Sequence, residues 1–176
     1  MRTGYHLLKV TVFLTGVLTL AYVAPGLVTA QTNGLTNKSV TSFDLSRINE
    51  EVIREFEKAW LRSGSGTRDI EGAVLIMLNS DDTYKCVEVG KTNEYNKVTY
   101  QWHPGAIAMG HTHPSRRDPK PSQTDRQIAD KVGVPIFTLT RYGMYIYDPT
   151  TKKTSKVMDG LDWLDLSKWN QRRLPC

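Results

Sequence analysis

Leu45, Ile48, Val52, Phe56, Ala59 and Trp60 recur at steps of three and four residues, which predicts an amphipathic helix with Glu50, Glu51, Arg54, Glu55 and Lys58 on its other faces. Asp44 and Ser46 are both candidate caps, and Ser63-Gly64-Ser65-Gly66 stops the helix. From Glu71 to Leu78 the apolar run is too continuous for a half-exposed strand and predicts a central one covered on both faces. Asn79 to Asp82 turns the chain. Tyr84 to Val89 and Lys97 to Trp102 then predict two shorter strands lying antiparallel to each other, the second alternating Val98, Tyr100 and Trp102. Ala106-Ile107-Ala108-Met109 leads into Gly110-His111-Thr112-His113-Pro114, the expected end of a buried strand. Ile128, Ala129 and Val132 mark a helix opening at Ser122 and closing at Gly133. Ile136–Thr140 and Met144–Asp148 form a hairpin, and a tail with Trp163 and Trp169 packs its indoles on the body. Helix, strands, helix and strands in that order predict an α+β fold.

The first thirty residues stand apart. Arg2 and Lys9 form a short basic start, Val10 to Ala24 is almost wholly apolar, and Val28-Thr29-Ala30 offers small residues before Gln31, which together predict a cleaved signal peptide over 1–30. The alternative is an uncleaved anchor, but the apolar stretch is shorter than the ~20 residues of a spanning helix. Residues 31–41 are small and polar and read as a flexible leader, leaving 42–176 as one domain of a 176-residue chain. With 39% hydrophobic and 23% charged residues the composition is globular. Loss of Arg2 and Lys9 takes the formal charge from +5 to +3, a mild excess without a basic run, so nucleic acid is not an expected partner. The expected location is secreted or periplasmic, with no stable membrane span once the leader is removed. Cys86 and Cys176 are the only cysteines. An oxidising compartment permits their pairing, and two unrelated thiols are equally compatible with the sequence.

Candidate chemistry concentrates between residues 110 and 125. On a strand, side chains at i and i+2 share a face, so His111 and His113 project together while Thr112 points away. A proline-rich loop follows, and Ser122-Gln123-Thr124-Asp125 opens the next helix, bringing a carboxylate back towards the imidazoles. Two histidines and a carboxylate, with a fourth position left for water, are the ligand set of a catalytic zinc, whereas a structural zinc site closes with four protein ligands. Asp118, in the loop, competes with Asp125 for the third place. The spacing of Ser122 and Asp125 is also that of a helix cap with an acidic residue in the first turn. His103 reads as an ordinary strand-end histidine, and Arg116, Arg117 and Lys120 crowd the loop between the ligands.

His111-Thr112-His113-Pro114 followed by Ser122-x-x-Asp125 resembles the JAMM (MPN+) motif of the JAB family of zinc metalloproteases. Eight residues separate His113 from Ser122, one more than the family's usual seven, so the loop must bulge by one residue. The resemblance covers about 71–148. It implies a JAB/MPN-like curved mixed β-sheet flanked by helices, and one zinc ion per chain held by His111, His113 and Asp125. It also implies Ser122 as support for the transition state and an upstream glutamate as general base. Glu71, at the mouth of the central apolar strand, is the first candidate for that base, ahead of Glu88 and Glu94.

Other His-x-His families fit less well. A cupin needs a glutamate four or five residues beyond the pair, a metallo-β-lactamase needs an Asp-His pair where Arg116-Arg117 stands, and an amidohydrolase barrel typically needs ~250 residues. The resemblance therefore implies an exported zinc-dependent hydrolase of peptide or isopeptide bonds, in which zinc-activated water attacks the carbonyl with Glu71 as base and Ser122 as oxyanion support. The expected partner is a peptide or protein substrate. Two alternatives share the scaffold: a non-catalytic metal-binding or interaction module, and a secreted JAB-type effector toxin. The position of the Glu71 carboxylate relative to the histidines separates the module from the enzyme.

Overall fold

The computed structural model describes residues 9–11, 43–88, 99–103 and 105–173. Of the expected signal peptide and leader it includes only Lys9–Thr11 (β1), within the signal-peptide segment, which pairs antiparallel with Thr99–Gln101 (β4). Cys176 lies outside the described residues, so its pairing with Cys86 is not visible.

The predicted first helix divides in two. Leu45–Arg47 forms a 3-10 turn whose start is capped by Asp44, and α1 runs from Glu50 to Arg62. Asn49 separates them because its Oδ1 accepts the Val52 N–H at 3.0 Å, a better cap for the long helix than Asp44 or Ser46 can offer from further upstream. Gly64, Ser65 and Gly66 all take positive φ and end the element.

The core is a six-stranded mixed sheet with three α-helices among the described residues, an α+β architecture. Ala73–Leu78 (β2) pairs with Tyr84–Glu88 (β3) on one side and Ala106–Thr112 (β5) on the other, both antiparallel. Ile136–Thr140 (β6) runs parallel to β5, and Gly143–Asp148 (β7) and Lys153–Asp159 (β8) complete the sheet as antiparallel neighbours. The parallel β5–β6 pair requires a crossover, and Gln123–Val132 (α2) supplies it.

Two expectations fail here. β3 pairs with β2 through the tight turn at Asn79–Asp82, and among the described residues it forms no ladder with Thr99–Gln101, which pairs with β1 instead. β8 was hidden because its exposed edge sequence Lys153-Thr-Ser-Lys carries no apolar alternation, and a register shift opposite Met144/Tyr145 lets the consecutive Val157 and Met158 both be buried. The tail behaves as expected. Trp163 Nε1 donates to Thr140 O and Trp169 Nε1 to Trp163 O, each at 3.0 Å, while Trp60 and Trp163 pack edge to face.

Strand alternation splits the core into two layers. Val74, Ile76, Ala108, Phe137 and Leu139 pack with α1 and the tail tryptophans. Ala73, Leu75, Met109 and Ile136 pack on the other face with Ile128 and Ala129 of α2. A glycine fixes how closely α1 can approach: a Cβ on Gly72 would lie 2.6 Å from Ala59 O and 2.9 Å from Ala59 Cα, both backbone atoms that cannot swing aside. Gly72→Ala is therefore expected to lower stability by roughly 1–3 kcal/mol, the usual cost of forcing extra volume into a packed interior. Urea denaturation checks this, and an unchanged midpoint would contradict so close an approach.

Candidate metal centre

The β2–β5 ladder sets the geometry. Ala73 pairs with His111, and Thr112 N donates to Gly72 O at 2.9 Å, so continuing the ladder by one residue sets Glu71 opposite His113. Glu71, Ala73, His111 and His113 then share the face covered by α2, while Gly72 and Thr112 face α1. Thr112 Oγ1 also accepts the Gly72 N–H at 2.9 Å, tying the two strand ends together just before Glu71.

The crossover brings in the third group. A helix that follows the C-terminal end of β5 begins near the histidines, and Asp125 stands in the first turn of α2. Ser122 N donates to Asp125 Oδ2 at 2.6 Å and Asp125 N donates to Ser122 Oγ at 3.2 Å, a reciprocal capping box that locks the carboxylate in place. His111 Nε2 lies 3.5 Å from Asp125 Oδ1, His113 Nε2 lies 3.5 Å from Asp125 Oδ2, and the two imidazole Nε2 atoms are 2.9 Å apart. Tetrahedral ligands on bonds of about 2.1 Å stand about 3.4 Å from one another; the two 3.5 Å contacts use different Asp125 oxygens, and with one ligand atom from each residue all three lie within 4.8 Å of one another. All three residues are buried, each less than 5% exposed. His111, His113 and Asp125 thus form a buried group that could hold a metal ion.

The surroundings orient these donors. His113 Nδ1 lies 2.8 Å from the Asp118 carbonyl, which fixes that nitrogen as the N–H donor and leaves Nε2 free to ligate. Thr138 Oγ1 donates to Pro119 O at 2.5 Å, and Ser115 N donates to Gly66 O at 2.8 Å. Arg116 forms an ion pair with Asp69. The loop from 114 to 121 is therefore pinned at several points, and beyond it Asp125 stands 3.5 Å from each histidine. Asp118 contributes its carbonyl and not its carboxylate, which instead accepts the Lys120 N–H at 3.0 Å. The partners of the Asp118, Pro119 and Gly66 carbonyls and of Asp69 were not legible in the sequence, because none of them follows from a local pattern.

Glu71 is only 4% exposed, and its Oε1 has no hydrogen-bond partner among the described residues. Burial pushes its carboxyl pKa up, against the charges of His111 and His113, which pull it down. Glu88 occupies a backbone position opposite Val74 on β3, one strand further from the histidines, and Glu94 lies outside the described residues. Ser122 is half-buried; its cap uses the hydroxyl oxygen as an acceptor and not the hydroxyl proton. His103 is exposed, its Nδ1 accepting the Gly105 N–H, as an ordinary strand-end histidine would. No family model matches the chain, and no curated protein matches it significantly.

Burial alone would raise the Asp125 pKa, but the two histidines beside it hold it well below the ordinary carboxylate value. Burial likewise opposes charge on His111, yet Asp125 and Glu71 outweigh that and raise its pKa. The sign for stability follows. In metal-free protein the Asp125 contribution is present above ~3.9 and lost only as pH falls through its depressed value. The His111 contribution is complete below ~6.5 and lost as pH rises through its raised value, and the raised Glu71 pKa acts in the same direction. The melting temperature in EDTA is therefore expected to fall as pH rises above ~6.5, and saturating zinc to abolish that fall by replacing the protons. Calorimetry with and without zinc tests it, and a melting temperature in EDTA that rises over this range would contradict the coupling.

Proposed function

We propose that the chain is an exported zinc-dependent amide hydrolase of the JAMM type, with a JAB/MPN-like arrangement of sheet and helices. One observation carries the proposal: a buried glutamate with an unpartnered oxygen faces a buried His-His-Asp group across adjacent strands. A module that merely bound metal would have no use for such a carboxylate, since a buried acid without a partner is costly to keep. The histidine pair, the proline after it and the Ser-x-x-Asp of the capping box support the same family, and the basic and apolar leader supports export.

Three donors leave a fourth position open. A zinc ion there would supply Lewis acidity, polarising the amide carbonyl and making water a competent nucleophile near neutral pH. Glu71 takes the proton from the attacking water and delivers it to the amine as the C–N bond breaks. Burial raises its pKa above that of an exposed carboxyl, the direction that helps it accept the proton it later returns. Ser122 has a hydroxyl proton that its cap does not use, and it turns this towards the developing oxyanion from a rigid helix end.

His113→Ala is expected to lose zinc, whereas Glu71→Gln retains it and loses about 10²–10⁴-fold in turnover on a peptide or isopeptide library. Metal analysis beside the activity assay separates the two effects. A fully active Glu71→Gln would contradict the assigned base, and zinc retained at full affinity by His113→Ala would contradict the ligand set.

A further inference from the structure

Thr112 stands between the two histidines, is fully buried, and yet belongs to the face of the sheet turned away from the metal group. Its hydroxyl accepts the Gly72 N–H at 2.9 Å. In an antiparallel pair, rungs joined by two backbone bonds alternate with rungs joined by none. Gly72 and Thr112 form a rung of the first kind, but only half of it is backbone. Thr112 N donates to Gly72 O at 2.9 Å, whereas the return bond from Gly72 ends on the hydroxyl, where a carbonyl ordinarily stands. Glu71 and His113 then make a rung of the second kind. His113 gives its N–H to the neighbour on the other side, Leu139 O, at 3.1 Å, so that among the described residues no backbone bond joins it to Glu71. The place of the glutamate against the histidine is therefore set by the rung beside it.

We propose that Thr112 is a positioning residue for Glu71: by taking the Gly72 N–H, its hydroxyl sets where the Glu71 carboxylate stands against His111, His113 and Asp125, and this rests on the amide-hydrolase reading above. Gly72 is held from two sides. A Cβ there would lie 2.6 Å from Ala59 O, so the backbone has no room to retreat towards α1, and the hydroxyl meets it from β5. The bond is buried, so without the hydroxyl the Gly72 amide would lose its acceptor with no solvent to replace it, and the peptide unit would turn to find another. That unit includes the Glu71 carbonyl, so turning it moves the glutamate. The three metal-binding candidates are anchored elsewhere, His113 by Leu139 and the Asp118 carbonyl and Asp125 by its capping box. Two further ties between the same segments, Ser115 N to Gly66 O and Arg116 to Asp69, lie further out along the loops. A misplacement of about 1 Å at a reacting group is enough to cost on the order of 10²-fold in rate.

The test compares zinc-loaded proteins by metal content, by kcat and KM on the best-cleaved member of an N-acetylated pentapeptide library, and by crystal structure. Thr112→Val keeps the shape and removes the acceptor. It should keep one zinc per chain and a KM close to that of the unsubstituted protein while kcat falls about 10²-fold, and its Glu71 carboxylate should be displaced by about 1 Å with His111, His113 and Asp125 in place. Thr112→Ser keeps the hydroxyl and should recover most of kcat and the carboxylate position. In a Glu71→Gln background Thr112→Val should cost nothing further, because a residue that acts through the base has nothing left to act on. Undiminished kcat or an unmoved Glu71 in Thr112→Val overturns the assignment, and so does loss of zinc or a loss of kcat that recurs in full beside Glu71→Gln. Should Thr112→Val fail to fold, Thr112→Ser decides, since a loss of about 10²-fold there at full zinc content would show that the hydroxyl does not place the base. If the unsubstituted protein cleaves no peptide, the hydrolase reading falls, and the position of Glu71 in the Thr112 variants still decides whether the hydroxyl places that side chain.

Discussion

The antiparallel register between β2 and β5 is the constraint from which the site follows. Ala73 opposite His111 fixes which residues share a face, and a slip of one residue would turn Glu71 away from the imidazoles and bring Gly72 in its place. That register is held by more than the ladder. Thr112 binds Gly72 through both its N–H and its Oγ1, and the missing side chain at Gly72 lets α1 press against the same point from behind. Packing on one face of the sheet thereby sets the chemistry on the other.

The crossover between β5 and β6 brings the carboxylate to the two histidines for a topological reason. Parallel neighbours need a connecting helix, that helix starts beyond the carboxyl end of the first strand, and the first turn of α2 is where Asp125 lies. Its capping box serves two ends. The hydrogen bond from Ser122 N satisfies a helix-end donor and at the same time orients the carboxylate towards His111 and His113. Asp125 near the positive end of the helix dipole is also stabilised as a carboxylate, the deprotonated form that can bind a cation.

Much of this was legible in the chain, and what was legible was local. His111 and His113 two residues apart on an apolar run, Ser122 three residues before Asp125, and Gly133 closing α2 each encode a short-range geometry. The apolar run before Leu78 announced a strand covered on both faces, and it is one. What escaped was non-local or unpatterned. The break at Asn49 depends on a single side-chain cap inside an otherwise continuous helical period. β8 is an edge strand too polar to alternate, and the partner of β4 could not be read from its own residues. At the site, the motif marked the ligands but not their support. The Asp118 carbonyl on His113 and Thr138 on Pro119 have no sequence signature.

The account stands on two imidazoles and one carboxylate meeting at a single divalent ion with one position left open. X-ray absorption at the zinc edge of the loaded protein tests this most directly. It is expected to show one zinc per chain, two imidazole nitrogens and only oxygen donors besides, all at about 2.0–2.2 Å. Sulfur in the coordination shell, or an ion without the outer-shell scattering of two histidines, would contradict it.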